Sequence, residues 1–385
     1  MKKEDNSFCP APWISMFYQV DKASVCCTSA DKLKMSPKEF LKSDYLKKLR
    51  QDFIKGDKPN NCGNCWRNED KNLLSIRQQF LRNFPEYTKD KFTEFADKPL
   101  EYVELRCSNQ CNFMCRMCNP TNSIEIAREA TKFPFAHNFH NIETNELSEI
   151  SEKDWKEIIS STEDLRYLFL TGGEPLLMKQ YYDLMDRLID NGKSEDVALL
   201  IYTNCSVYNP KFAEKITKFK NVRLNLSIDA VGRVAEYQRK GTDWEIVKEN
   251  AYKLASLPNI KPMIHSTVTA YTVLDMNALI DFYNESIEKF NNMTFQMHVA
   301  GRPLGMAPSC LDERLRKIAI EQIDQANSKL FHPKFKRVKK ELEAMSGVLK
   351  FSPLKDFDKF CRLTKNYDAM RDESFEEVFG YKLVV

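Results

Sequence analysis

Short apolar runs set the rhythm of the middle of the chain. From about residue 99 onward, Tyr102–Leu105, Tyr167–Leu170, Ala198–Tyr202, Val222–Ile228, Met263–Val268 and Thr294–Val299 alternate with polar stretches whose composition suits helices. Mostly roughly 25 to 40 residues separate successive runs, as repeated strand–helix units require, which predicts a parallel sheet or an α/β barrel. The first interval is longer and holds the polar segment Thr121–Ser151, read as an insertion. Before residue 95 there is no such alternation. An aromatic-rich start (Phe8, Trp13, Phe17, Tyr18) leads to one amphipathic helix, predicted near Pro37–Ile54. After Cys310 the strand signal fades. Leu315, Ile318, Ala319, Ile323, Ala326 and Leu330 recur at the three- and four-residue intervals of a helix with one buried face. Three segments follow: a cysteine-rich 1–95, an α/β core 96–305 and a helical extension 306–385.

Composition narrows the class. The 385 residues fit two or three domains, at ~100–200 residues each. Hydrophobic content of 42% and charged content of 29% are ordinary for a globular protein. Lys and Arg (58) nearly balance Asp and Glu (55), for a net charge of +3. That excludes a strongly basic arm, so nucleic acid is not an expected partner. Lys334, Lys336, Arg337, Lys339 and Lys340 read as a solvated helix face. No apolar run approaches the ~18–20 residues of a membrane span, and no apolar stretch follows the charged start as in a signal peptide. The expected location is the cytoplasm, away from membranes.

The twelve cysteines carry the chemistry, and nine of them lie in the first 118 residues. In a reducing compartment, clustered cysteines ligate metals or act in catalysis rather than form disulfides. Cys111-x3-Cys115-x2-Cys118 directly follows the first predicted strand of the core and puts three thiolates in one short loop. Thiolates are the usual ligands of iron–sulfur clusters, and three of them leave one iron open. A tetrahedral zinc is the other reading, with Cys107 as its fourth ligand. The second strand ends in Leu170-Thr171-Gly172-Gly173-Glu174-Pro175. Its two glycines admit a ligand close to the backbone, and the Glu174 carboxylate can hold an amine. Thr203-Asn204 and Ser227-Ile228-Asp229 end the next two strands, so polar groups gather at the carboxyl ends, where α/β barrels carry their active sites.

Over roughly residues 99–300 the sequence resembles the radical S-adenosylmethionine (SAM) superfamily, on the C-x3-C-x2-C loop and the Gly-Gly-Glu motif occurring in that order. The resemblance implies a partial parallel (β/α)6 TIM-like barrel. It also implies a [4Fe–4S] cluster held by Cys111, Cys115 and Cys118, with SAM on the open iron. Met117 would pack near adenine, and Thr171, Gly172, Gly173 and Glu174 would meet the SAM amine. Asn204, Ser227 and Asp229 would line the cofactor site, with Arg239 a carboxylate partner. The chemistry implied is reductive cleavage of SAM, fed by an external reductant such as a flavodoxin or ferredoxin. The resulting 5′-deoxyadenosyl radical would abstract hydrogen from substrate.

A second constellation precedes the core: Phe8-Cys9-Pro-Ala-Pro-Trp13, then Cys26-Cys27, then Cys62-Gly-Asn-Cys65. Four thiolates can close a cluster or bind a structural zinc. The order of these elements, with the basic Lys47-Lys-Leu-Arg50 between them, resembles the SPASM or twitch auxiliary-cluster module found beside radical SAM domains. That module usually follows the barrel, whereas here it precedes it, and Asp21 stands where glycine is frequent. The resemblance implies Cys9, Cys26, Cys62 and Cys65 as ligands of a second cluster, with Cys27 the alternative to Cys26.

Other residues have plainer readings. Cys107, Cys205, Cys310 and Cys361 are expected in the core, His137 and His140 at the surface, and His265 and His298 on strands as satisfied interior histidines. Should the helical tail cover the barrel mouth, Tyr367, Asp368 and Arg371 would approach substrate. The expected function is a radical SAM oxidoreductase, epimerase or lyase acting on a sugar- or nucleotide-type small molecule. Modification of a peptide or protein side chain is the alternative. A non-catalytic zinc- or cluster-bearing binding protein is a third reading, which has no need of an open iron or an amine-gripping carboxylate.

Overall fold

The computed structural model of the protein describes residues 7–70, 74–93, 98–133, 147–301 and 305–383. Its strands are β1 (Ser15–Gln19), β2 (Lys22–Ser24), β3 (Leu33–Lys34), β4 (Tyr102–Arg106), β5 (Met114–Cys115), β6 (Tyr167–Leu170), β7 (Ala198–Thr203), β8 (Asn221–Ser227), β9 (Arg239–Lys240), β10 (Ile260–Val268) and β11 (Thr294–Val299). The six apolar runs of the core correspond to β4, β6, β7, β8, β10 and β11. In β10, Ile260, Pro262, Ile264, Ser266 and Val268 are buried while the residues between them are more open, the period of two that a strand imposes. Helices return the chain, and polar caps start them by taking up free amides. Asn209 begins Pro210–Thr217, Asp243 begins Trp244–Ala255 and Asp312 begins Glu313–Ser328. The architecture is α/β with a mostly parallel sheet.

The chain groups into two compact units, each built from separate stretches. The first comprises Met1–Ser108, Glu149–Gly172 and Asp183–Leu200. Its strand order is β6-β4-β1-β2-β3. The first two pairings are parallel, with Ser15 opposite Tyr102 and Tyr102 opposite Tyr167, and the last two are antiparallel. The amino-terminal segment therefore supplies strands, and β1 lies beside β4 although no alternation marked it. Phe17 and Tyr18 are buried in β1. The single helix expected near residues 37–54 is two, Pro37–Leu41 and Asp44–Lys55, because Ser36 and Ser43 each cap a separate start.

The second unit comprises Asn109–Ser148, Gly173–Tyr182 and Ile201–Val385, so β7 contributes to both. Here β8, β10 and β11 run parallel, with Ser227 opposite His265 and His265 opposite Gln296. Separately, β5 and β9 pair antiparallel, Met114 opposite Lys240 and Cys115 opposite Arg239. The segment read as an insertion begins with the helix Ile124–Lys132, capped by Ser123; His137 and His140 lie outside the described residues. Beyond Cys310 come helices Glu313–Ser328, Lys336–Phe351, Phe357–Arg371 and Phe375–Phe379. Leu315, Ala319, Ile323 and Ala326 form the buried face of the first, while Lys336, Arg337, Lys339 and Lys340 are exposed. Among the described residues no helix is long and apolar enough to cross a membrane.

Candidate functional site

The three-cysteine loop is held by backbone bonds to a distant segment as well as by a local one. The β5–β9 pair fixes Cys115, the Arg116 amide donates to the Gln238 carbonyl at 2.9 Å, and the Cys118 amide donates to the Cys115 carbonyl at 2.9 Å. Ser123, which caps the following helix, also donates its hydroxyl to the Phe113 carbonyl at 2.8 Å. Cys115 is buried, and Cys111 and Cys118 are partly open. Asn204 brings its amide nitrogen to 3.8 Å from the Cys111 sulfur, and Arg239 brings a guanidinium nitrogen to 3.7 Å from that of Cys115. Burial raises the Cys111 thiol, helped by the neighbouring thiols. Burial likewise raises Cys115, against the pull of Arg239.

The Gly-Gly-Glu turn meets this loop. A Cβ on Gly173 would lie 2.0 Å from the Gln110 carbonyl oxygen, so what approaches this glycine is the chain's own backbone, one residue before Cys111. Gly172 has φ of +122°, open to glycine at little cost. Glu174 donates its amide to Gln110 O at 2.7 Å. Its carboxylate is fully buried and accepts from Thr203 Oγ1 (2.8 Å), Asn204 N (2.7 Å) and Leu176 N (3.1 Å). A carboxylate offers about four lone-pair sites, which leaves one for a ligand's donor. Burial raises the Glu174 carboxyl to about 7, against the hydrogen bonds it accepts. Thr171, in the first unit, donates its amide to Leu105 O at 3.0 Å.

Asp229 and Arg239 form a buried pair, Nε to Oδ2 at 2.7 Å. The other Asp229 oxygen accepts from Thr267 N at 2.7 Å, so Asp229 ties the end of β8 to β10 rather than capping a helix. Met117 lies with its sulfur 3.0 Å from Gln238 Nε2. Gln238 and Arg116 are both fully buried against the loop, and no motif marked either. Ser227 is half-buried in register with His265. His265 packs edge-on to Tyr202 at 5.2 Å, and burial lowers its imidazole to about 4. His298 is exposed. Tyr367, Asp368 and Arg371, offered above to a substrate, are engaged within the fold. Tyr367 is buried, Asp368 accepts from Arg116 and Arg371 pairs with Glu129. Cys205, Cys310 and Cys361 are buried.

In the first unit Cys9, Cys26, Cys62 and Cys65 line one pocket, together with Trp66 and Arg77. Cys9 precedes the short helix Ala11–Ile14, the β1–β2 hairpin delivers Cys26, and Cys62 ends a turn that opens the helix Gly63–Asp70. Lys32 holds the carbonyls of Cys26 and Cys27 at 3.0 and 3.1 Å. Cys27 does not line the pocket; its thiol bonds the buried Glu104 carboxyl. Burial raises the Cys9 thiol, with the charges of Cys62, Cys26 and Cys65 adding to it. Arg77 donates to Phe8 O at 2.9 Å and forks onto Glu69. Cys107, also in this unit, is buried at the end of β4.

Among the described residues no three His, Cys, Asp or Glu side chains converge on a single metal ion. An iron–sulfur cluster gives each thiolate its own iron, so its ligands surround a body rather than a point. Thiols alone make up both donor sets, and soft thiolate donors are the chemistry of such clusters. The cation of Arg239 beside Cys115 also suits an anionic centre. The residues present fit an iron–sulfur group.

Residues 105–277 match the model of the Radical SAM superfamily. The chain is 24% identical over 184 residues to the GTP 3′,8-cyclase of Helicobacter pylori (strain HPAG1), covering 47% of this chain and 52% of that protein. It is 22% identical over 302 residues to the probable GTP 3′,8-cyclase of Methanococcus aeolicus, covering 74% and 90%. The match thus spans about half the length of the Helicobacter relative. Among solved structures it is similar to Streptococcus suis SuiB bound to S-adenosylmethionine, with a TM-score of 0.40 and 17% identity over 73% of this chain and 60% of that one. The three-cysteine loop and the Gly-Gly-Glu turn both lie inside the span that matches that superfamily's model.

Proposed function

We propose that the protein acts on a small polar molecule of nucleotide or sugar type, using a [4Fe–4S] cluster on Cys111, Cys115 and Cys118 with SAM bound beside it. Bound there, that pair supplies reductive cleavage of SAM and a 5′-deoxyadenosyl radical for hydrogen abstraction. The observation that carries the reading is the meeting of the loop with the Gly-Gly-Glu turn: Gly173 backs Gln110, and Asn204 links the Glu174 carboxylate to Cys111. Glu174 keeps one acceptor site for an amine. Arg239, already paired with Asp229, sets a positive charge against Cys115 and can share it with a carboxylate. Ser227 and Met117 offer a hydroxyl and a thioether to the nucleoside part. The names of the two relatives favour a purine nucleotide over a peptide.

The reading extends to a second cluster on Cys9, Cys26, Cys62 and Cys65, in a SPASM- or twitch-like module, as electron acceptor or substrate ligand. The common pocket of these four thiols supports it, and the Glu104 contact of Cys27 favours Cys26 as the ligand. An external flavodoxin- or ferredoxin-type reductant belongs to the same proposal.

Anaerobic purification with iron, sulfide and zinc counted per chain tests both sites. About eight irons are expected for two clusters, and dithionite with SAM should yield 5′-deoxyadenosine. About four irons with one zinc would make the amino-terminal site structural. Zinc alone, with no SAM cleavage after reconstitution, would sink the catalytic reading. GTP should then be consumed with deoxyadenosine formation, whereas turnover of a peptide panel and not of nucleotides would overturn the substrate class.

A further inference from the structure

We propose that the carboxylates of Asp368 and Glu373, through Arg116, are positioning residues for the three-cysteine loop, so that the last helices of the chain set the geometry of its thiols. The proposal rests on the reading that Cys111, Cys115 and Cys118 carry a cluster. Arg116 sits next to Cys115 and two residues before Cys118, and its side chain is 0% exposed. One guanidinium nitrogen donates to both Asp368 (2.9 Å) and Glu373 (2.5 Å), and Nε donates to the Tyr237 carbonyl at 2.9 Å. The guanidinium carbon lies 3.6 Å from the centre of the Tyr237 ring.

The two carboxylates reach beyond Arg116. Glu373 also pairs with Lys240 at 3.1 Å. Arg116 follows β5 and Lys240 ends β9, so one carboxylate grips both strands of the pair that presents Cys115 to Arg239. Asp368 accepts from the Tyr237 hydroxyl at 2.7 Å and from Phe375 N at 2.8 Å, which anchors it to the turn before Phe375–Phe379. Arg371, between them, forks onto Glu129 of the helix that follows the loop, at 2.8 and 2.7 Å. The loop is therefore held from β9, from its own following helix and from the carboxyl-terminal turn. A buried ion network is a poor means of adding stability alone, because each charge must be desolvated. Its directed bonds fix orientation, and groups that orient metal ligands tune retention of the metal.

The test uses the full chain, reconstituted anaerobically, in wild type, Asp368→Asn, Glu373→Gln and Arg116→Lys. The readout is the part of the reduced-state electron paramagnetic resonance spectrum that changes on adding SAM, with its midpoint potential and its survival against a chelator. The variants should keep the far-ultraviolet circular dichroism of wild type, lose the SAM-responsive cluster roughly 10-fold faster or more, and show an altered spectrum. Arg116→Lys should not rescue, since one ammonium lacks the planar fork that meets two carboxylates and a carbonyl, whereas Glu373→Asp should recover part of the signal. Folded variants with wild-type spectrum, potential and retention would overturn the proposal. If a variant fails to fold, amide hydrogen exchange on the metal-free wild type decides: the Arg116 and Phe375 amides should open together, and independent opening overturns the coupling. A wild type that takes up iron but shows no SAM-responsive signal would remove the cluster reading instead, and the exchange result would still judge the coupling.

Discussion

Gly173 illustrates how a single residue is read one way from sequence and another from structure. Two glycines at a strand end suggest room for a ligand, yet the space at Gly173 is taken by the Gln110 carbonyl, 2.0 Å from where a Cβ would stand. Gly173→Ala should therefore cost about 1–3 kcal/mol or more through overpacking. It should also displace the residue next to Cys111, so thermal melting and iron uptake should fall together. Glu174 allows a pH test. Its carboxyl sits at about 7 in the folded chain against 4.5 when free, so between those values the folded state keeps a proton that the unfolded state has lost. Stability then declines as pH rises from about 4.5 to about 7, by on the order of 3 kcal/mol at full extent. Glu174→Gln is neutral throughout, and its melting temperature relative to wild type should improve from about pH 5 to about pH 8. A constant difference across that range would show that the carboxyl titrates normally.

At the scale of elements, the two-residue strands β5 and β9 matter more than their length suggests. They bring Cys115 opposite Arg239, and Asp229 at the end of β8 links Arg239 to the backbone of β10. Removing the cation would leave Asp229 buried and unpaired, so Arg239→Ala should cost about 3–5 kcal/mol by chemical denaturation. Asp229→Asn leaves the buried Arg239 cation without its anion and sets an NH2 group against one of two donors, so it should cost a comparable amount. A loss near zero from either variant would show that the pair adds nothing to stability.

For the whole molecule, the raised thiols matter most. Burial raises the thiols of Cys9, Cys26, Cys62, Cys111 and Cys115 above the ordinary range and keeps them protonated. Loading iron must therefore release protons, and reconstitution should improve from about pH 7 to about pH 8.5. Because a group bound only by the folded chain stabilises it, stripping the iron with a chelator should lower the melting temperature. A melting temperature indifferent to iron would mean that the thiols are not its ligands.

The strands of the core were legible because their signal is local. An apolar run, or alternation within nine residues of β10, reports which face of one strand is buried regardless of its neighbours. The three-cysteine loop was legible for the same reason, since its ligand types sit within eight residues of chain. Tertiary structure decided whatever depends on which distant segments meet. It turned Cys26 toward the common pocket and Cys27 toward Glu104, although adjacent positions on the chain are equivalent as ligands. It laid β1 beside β4, whose five paired positions lie more than eighty residues apart. It also joined Arg116 to Asp368 across 252 residues and to Glu373 across 257. No periodicity connects such positions, because a buried charge finds its partner through packing in space and not through spacing along the chain.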